Sequence, residues 1–283
     1  MDAWLAPRID EETPGKSPVF GLAQTAACIA SDLSIRGPTI TFSAACASGL
    51  HALIRGAMMI RAGEVSRVLV VAAESSLHPL FIASLSRLGV IAPEGYGCRP
   101  FDRTRAGFVI GEAAAAMCLE AADARTADAA PFAAVERFGM GADATHLTSA
   151  DPQGHTLGRV LAGVLDGRAV DLIHAHGTGT VSNDPIELAA IEASLPHGGN
   201  PPALYSHKGA LGHSLGAAGL VAVALNCLSH RDGVVAPNVH TRDPLPAGTL
   251  TIRADLHHRR VSRSLAIAAG FGGAVAAVAL ARI

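Results

Sequence analysis

The sequence predicts an α/β fold made of two similar halves. Short β-rich runs alternate with alanine-rich helical patterns along the 283 residues. Two well-separated segments repeat the same order of strand, small-residue turn and apolar helix. Hydrophobic residues make up 49% of the chain and charged residues 16%, enough for a large core and for extra buried surface at a subunit interface.

In the first half, PTITFSA (38–44) reads as a strand, followed by a helix from about Ser48 to Ala62. RVLVVAA (67–73) is continuously apolar, the pattern of a strand buried on both faces of a parallel sheet. GFVIGEAAAAMCLE (107–120) reads as a turn entering another strand. The polar, unpatterned 120–132 places the join between two domains, 1–124 and 125–283. In the second, VDLIHAH (170–176) and PALYSH (202–207) are strands, and DPIELAAIEASL (184–195) is a helix with Pro185 near its start. A further helix runs from Ser214 to Ser229. The stretch from Ala266 to Ala281 is the most apolar, but it is short and broken by Gly270, Gly272 and Gly273, so it reads as two buried strands joined by a glycine turn.

Charge and cysteine usage exclude several classes. The formal net charge of −2 gives no reason to expect nucleic-acid binding. The acidic, proline-containing N-terminus is unlike a signal peptide, and no membrane segment is expected. The five cysteines form no CxxC pair, which argues against a disulfide framework or a zinc site and for a cytoplasmic protein with reduced thiols.

The repeated segments, PTITFSAACASGLHALIRGAMMI and ALYSHKGALGHSLGAAGLVAVAL, each place one reactive side chain in the turn, Cys46 or His213. Small neighbours (Ala44, Ala45, Ala47, Ser48, Gly49) permit a tight strand-to-helix turn, and a helix N-terminus would favour the Cys46 thiolate. His176 ends an apolar strand and opens H-G-T-G-T, where Thr178 and Thr180 can tie a loop that Asp184 and Glu187 are placed to orient. His174 faces the opposite side of that strand. Lys208 precedes His213 by five residues in a glycine-rich turn, an arrangement unusual for a purely structural segment.

T-F-S-A-A-C-A-S-G, H-G-T-G-T and K-G-A-L-G-H-S-L-G-A-A-G, in this order, resemble the three active-site signatures of β-ketoacyl-[acyl carrier protein] synthases, and R-P-F-D-R-T-R-A-G-F-V-I-G-E (99–112) and G-F-G-G (270–273) also match. The resemblance runs from about Gly21 to the C-terminus. It implies a thiolase-like fold of two α/β halves in five layers, helix–sheet–helix–sheet–helix, with the N-terminal half incomplete. It implies that Cys46 is acylated, that His176 and His213 stabilise the enolate of a decarboxylating malonyl unit, and that Lys208 tunes the electrostatics beside His213. The Cys46 and Phe271 amides would hold the oxyanion, and Phe271 would gate the acyl pocket. No metal or organic cofactor is implied, since acyl groups travel on the phosphopantetheine of an acyl carrier protein. The implied assembly is a homodimer, or a heterodimer with a full-length ketosynthase, with the strand before Cys46 pairing across a two-fold axis.

The chain departs from the family pattern in three places: the segment before Cys46 is short, Ala222 stands where a glutamate is usual, and Ala274–Val275 replaces a Thr-Asn type pair. A chain-length-factor-like partner without catalysis is therefore the alternative expectation. Thiolase and chalcone-type synthases fit less well. Arg55, Arg61, Arg99, Arg103 and Arg105 are candidate contacts for an acidic carrier.

Overall fold

The computed structural model describes residues 21–124 and 130–283. Compact units divide at Thr41/Phe42. The described part of the first, residues 21–41, contains helix α1 (Gln24–Asp32), none of whose residues is buried. Everything below concerns the second unit, Phe42–Ile283.

Helix α2 (Ser48–Arg61) forms because Leu50, Leu53, Ile54 and Ala57 recur at helical spacing and share one buried face. Strand β1 (Arg67–Glu74) follows, then α3 (Pro79–Arg87), which starts with proline at its first position. Strand β2 (Ala113–Glu120) pairs antiparallel with β1. This corrects the parallel, doubly buried strand expected at 67–73. Val68, Val70 and Ala72 face the core with Ala115, Met117 and Leu119, while Leu69 and Cys118 face outward.

The second half supplies β3 (Ala134–Ala142), α4 (His155–Leu165), β4 (Leu172–His174), α5 (Asn183–Ser194), β5 (Ala203–Tyr205) and the single turn α6 (Lys208–Leu211). A 3-10 turn at Leu215–Ala217 leads into α7 (Ala218–Asp232). Short strands β6 (Val234–Val235), β7 (Thr251–Ile252) and β8 (His257–His258) precede the closing hairpin, β9 (Arg263–Ala269) and β10 (Ala274–Ala281). The apolar stretch expected to be two strands and a glycine turn is this hairpin.

One six-stranded sheet runs in the order β3-β10-β9-β4-β5-β7, with β9, β4, β5 and β7 parallel and β10 antiparallel to both neighbours. Helices α4 and α5 build a core on one face with Leu161, Val164, Leu188 and Ile191. On the other face α2 and α7 lie between this sheet and the β1–β2 pair, joining Leu50, Leu53, Leu220 and Val223 to Ala266, Val278 and Val70. Truncating a fully buried leucine here, such as Leu53, would cost about 2–5 kcal/mol. The layers thus run helix, sheet, helix, sheet. Among the described residues of this unit no helix covers the outer face of β1–β2, where Leu69 and Cys118 are exposed, so the two halves are unequal.

The strand expected at 38–44 is not formed: residues 38–43 have no strand partner among the described residues and only an isolated bridge links Ala44 and Cys46. Extended backbone becomes a strand only when a neighbour takes its hydrogen bonds. The expected join is only partly visible, because residues 125–129 lie outside the described residues. No helix among the described residues is long and apolar enough to cross a membrane.

Candidate active site

Two glycines determine how the halves meet. A Cβ on Gly49 in α2 would lie 3.0 Å from both Gly216 O and Leu220 N, and a Cβ on Gly219 in α7 would lie 2.9 Å from Leu50 Cγ. The first turns of the two helices therefore touch backbone to backbone, which larger residues would prevent. Cys46 lies just before α2 and His213 just before the turn into α7. This crossing brings Cys46 Sγ within 3.2 Å of His213 Nε2.

The nucleophile turn is tight. Ala45 takes a left-handed φ of 47°, uncommon for a residue with a side chain. Ser48 Oγ accepts the Ala44 amide at 2.9 Å and donates to Ala45 O at 2.7 Å. At the entry to α2, Ala47 N–H donates to Ala44 O and Ser48 N–H to Ala45 O. Burial of the sulfur outweighs any help from the helix N-terminus, and this corrects the expected thiolate. Burial pushes the Cys46 thiol up to about 11, with the Lys208 charge opposing and Glu74 adding to the rise. This favours the thiol form of Cys46 at neutral pH.

His213 is 1% exposed. Its amide donates to Val109 O at 2.7 Å and its carbonyl accepts Gly111 N–H at 3.0 Å, while Phe108 meets its ring edge-on at 5.0 Å. The turn expected at the start of 107–120 is thus the seat of His213, and the strand expected after it is β2. Burial, then the Lys208 charge, holds His213 and His176 well below the ordinary imidazole range, so both are neutral. Their ring centroids lie 5.5 Å apart, nearly perpendicular. His213 Nδ1 has no partner among the described residues. An orphaned acceptor is cheaper than an orphaned donor, which puts the proton on Nε2, facing Cys46.

The loop after β4 is held by carboxylates. Glu187 accepts the His176 and Gly177 amides at 2.6 and 2.7 Å, and Asp184 accepts those of Phe101 at 2.7 Å and Gly179 at 3.1 Å. Thr178 and Thr180 bond to each other through their hydroxyls at 2.9 Å. Burial raises the Asp184 carboxyl and pushes that of Glu187 up to about 7. Lys208, fully buried and lowered by that burial, donates its ammonium to His176 O. It therefore braces the His176 backbone and lies in the electrostatic surroundings of both histidines.

The β9–β10 turn completes the site. A Cβ on Gly270 would lie 2.6 Å from Ala44 O and 3.1 Å from Cys46 N, so this turn rests on the nucleophile backbone. Among the described residues neither the Cys46 nor the Phe271 amide donates a hydrogen bond, and the Phe271 side chain is 37% exposed. Ala222 is buried in the apolar layer of α7, and Val275 is buried in β10.

Sequence reasoning passed over several supports. Asp102 accepts the Thr104 amide and hydroxyl at 2.8 and 2.6 Å and the Arg242 and Asp243 amides at 2.6 and 2.8 Å. Asp143 does the same with Thr145 at 3.0 and 2.7 Å and with the Asp151 amide at 2.5 Å. Both lie in Asp-x-Thr, a readable turn signal. Glu74 accepts the Gly216 amide at 3.2 Å. Of the candidate docking arginines, Arg105 is spent on Thr180 O and Val181 O, Arg61 on Glu136 O and the Phe138 ring, and Arg99 on Tyr96 and Thr104. Arg55 and Arg103 make only exposed pairs, with Glu64 and Asp243.

Comparison with known proteins agrees with this geometry. The β-ketoacyl synthase N-terminal domain matches residues 13–124 and the C-terminal domain of the same family matches 132–242. The chain belongs to the β-ketoacyl synthase family. It is 32% identical to the tetracenomycin polyketide synthase ketoacyl synthase alpha subunit of Streptomyces glaucescens, over 90% of this chain and 62% of that one. It is 34% identical to 3-oxoacyl-[acyl-carrier-protein] synthase 2 of Mycobacterium tuberculosis, over 91% and 64%. The chain thus spans a little under two thirds of these curated relatives. Among solved structures, a type II polyketide acyl carrier protein in complex with its ketosynthase bound to the hexaketide superposes with a TM-score of 0.88 at 26% identity, over 93% of this chain and 68% of that one. The ishigamide ketosynthase/chain length factor superposes at 0.85 and 29%, over 93% and 66%. The fold is the thiolase-like fold of ketosynthases.

Proposed function

We propose that the chain is a β-ketoacyl-[acyl carrier protein] synthase, joining an acyl thioester to malonyl-carrier by decarboxylative Claisen condensation in fatty acid, polyketide or aryl-polyene synthesis. The observation that carries this reading is the Cys46 Sγ to His213 Nε2 contact of 3.2 Å, with a second neutral imidazole, His176, beside it. Cys46 attacks the incoming thioester, its proton leaving on the carrier thiol that departs. The His176 and His213 rings then donate to the malonyl thioester oxygen as carbon dioxide leaves. The resulting carbanion attacks the Cys46 acyl group, and the oxyanion formed meets the Cys46 and Phe271 amides. Its collapse breaks the C–S bond, releasing the extended chain on its carrier and the Cys46 thiolate, which regains a proton from water. The acyl units arrive on the phosphopantetheine of an acyl carrier protein, and no cofactor of the chain's own enters these steps.

A second reading, a chain-length-factor-like partner of a full-length ketosynthase, draws support from the exposed outer face of β1–β2 with Leu69 and Cys118. Strands with an uncovered face and a free edge invite a partner. In either reading the assembly is a dimer. Intact mass spectrometry after incubation with an acyl-carrier protein, on wild type and Cys46→Ala, alone and beside a full-length ketosynthase, separates the two. An adduct dependent on Cys46 is expected; acylation of the partner alone would overturn the catalytic reading.

A further inference from the structure

The site leaves one buried pair of imidazoles without a task. His174 ends β4, two residues before His176, and His207 follows β5, one residue before Lys208. The two strands run parallel with His174 opposite Tyr205, whose ring lies 4.1 Å from that of His174. His174 Nε2 and His207 Nδ1 are 2.7 Å apart. The His207 amide also reaches His174 Nε2, at 3.4 Å. An amide only donates, so His174 Nε2 is the acceptor and the shared proton belongs to His207 Nδ1.

With Nε2 accepting, His174 carries its own proton on Nδ1, placed towards the Asn226 side chain and the Ala222 backbone, while His207 Nε2 is left without a partner among the described residues. Apolar side chains would fill this space without that penalty, so filling the core does not account for the pair. What the pair joins is specific. On either side of His207, Ser206 Oγ donates to Gly177 O at 2.8 Å and Lys208 Nζ donates to His176 O. The imidazole bond is the side chain-to-side chain link between the strand that carries His176 and the turn that carries Lys208, beside the Ala175 N–H to Tyr205 O bond of the backbone. His213 has its own seat on Val109 and Gly111.

Building on the ketosynthase reading, we propose that His174 and His207 are positioning residues, an imidazole clamp that sets the spacing of the two histidine motifs and so holds Lys208 on the His176 carbonyl and the His176 ring beside His213. The clamp touches no substrate. It acts on the His176 side of the site and leaves the Cys46–His213 contact to its separate anchor.

The test compares His174→Leu, which removes the acceptor, with His174→Asn, which offers His207 a side-chain oxygen. Condensation in His174→Leu should fall by about tenfold to a hundredfold while Cys46 acylation stays within about threefold, and His174→Asn should recover most of the loss. Acylation and condensation falling together, or His174→Asn behaving no better than His174→Leu, would overturn the clamp. The imidazole ¹⁵N–¹H spectrum, recorded without turnover, decides the case independently. A downfield His207 Nδ1–H signal should vanish in His174→Leu and the His176 signals should move; unmoved His176 signals would refute it. A wild-type chain that takes no acyl group would sink the ketosynthase reading alone, leaving the spectrum to judge the clamp.

Discussion

The two strand–turn–helix units that meet at the site are built alike and finished differently. Around His213 the strand β5 is paired on both sides, α7 is buried along most of its length, and backbone hydrogen bonds fix the residue from both directions. Around Cys46 the preceding backbone joins no strand among the described residues, and the turn relies on Ser48, a left-handed Ala45 and the Gly270 turn. The difference matches the work each residue is proposed to do. A proton donor gains from a dry, rigid, low-dielectric seat, whereas a nucleophile has to admit a thioester and release it.

The comparison breaks most sharply at the reactive atoms. Cys46→Ala should lower condensation by about a thousandfold or more, and His213→Ala by about a hundredfold to ten-thousandfold, measured as product formed from acyl- and malonyl-carrier. The same pair predicts a pH signature. With the thiol at about 11, iodoacetamide labelling of Cys46 should rise about tenfold per pH unit from 7 to 10 without a plateau. A plateau below pH 8 would show that the protein stabilises the thiolate after all.

Glu187 tests the rigid side. Its folded carboxyl is pushed up to about 7 from an ordinary 4.5, so its contribution to stability is fully present below about 4.5 and is lost as pH rises through about 7. The full loss is about 3 kcal/mol, of which the larger part falls between pH 5 and pH 8. Urea midpoints of the wild type should therefore fall between pH 5 and pH 8, and this share of the slope should be absent in Glu187→Gln. The helix crossing tests both units together. Gly219→Val inserts atoms against Leu50 and should cost about 1–3 kcal/mol, visible as a lower Tm and slower acylation of Cys46. Gly158→Ala, in α4 with nothing within 4 Å of its added Cβ, should leave both unchanged or slightly improved.

What could be read in advance follows from what each signal depends on. Cys46, His176, Lys208 and His213 announce themselves because their chemistry needs fixed local spacing in small-residue turns. The closing hairpin is legible for a similar reason: its apolar run is too interrupted by glycine to be anything longer. The strand at 38–44 misleads because β-branched residues describe only a tendency to be extended, while pairing depends on a neighbour elsewhere. β1 looks doubly buried because Val and Ala suit either kind of sheet. The thiolate expectation fails because burial outweighs the helix N-terminus at Cys46, and no local pattern of residue types reveals how deeply a turn is buried. The contact between His174 and His207 crosses two strands, so it appears only once β4 and β5 are in register.

The smallest effect sharpens the comparison at the surface. Arg61 and Arg105 hold backbone carbonyls, so replacing either removes structure along with charge. Arg55 is different: it lies on α2, behind the nucleophile, and its pair with Glu64 at 3.4 Å is about a third exposed on the arginine side. Such a pair contributes about 0–1 kcal/mol, so Arg55→Glu should shift the Tm little. If the Cys46 side of the site is where an acidic carrier arrives, the same change should slow carrier-dependent acylation several-fold at low salt. The loss should shrink towards nothing at 1 M salt, where the screening length is about 3 Å. Labelling by a small neutral reagent, which needs no docking, should stay at the wild-type rate. Equal acylation rates at low salt would remove Arg55 from the docking surface and leave Arg103, opposite Asp243, as the remaining arginine free to meet a carrier.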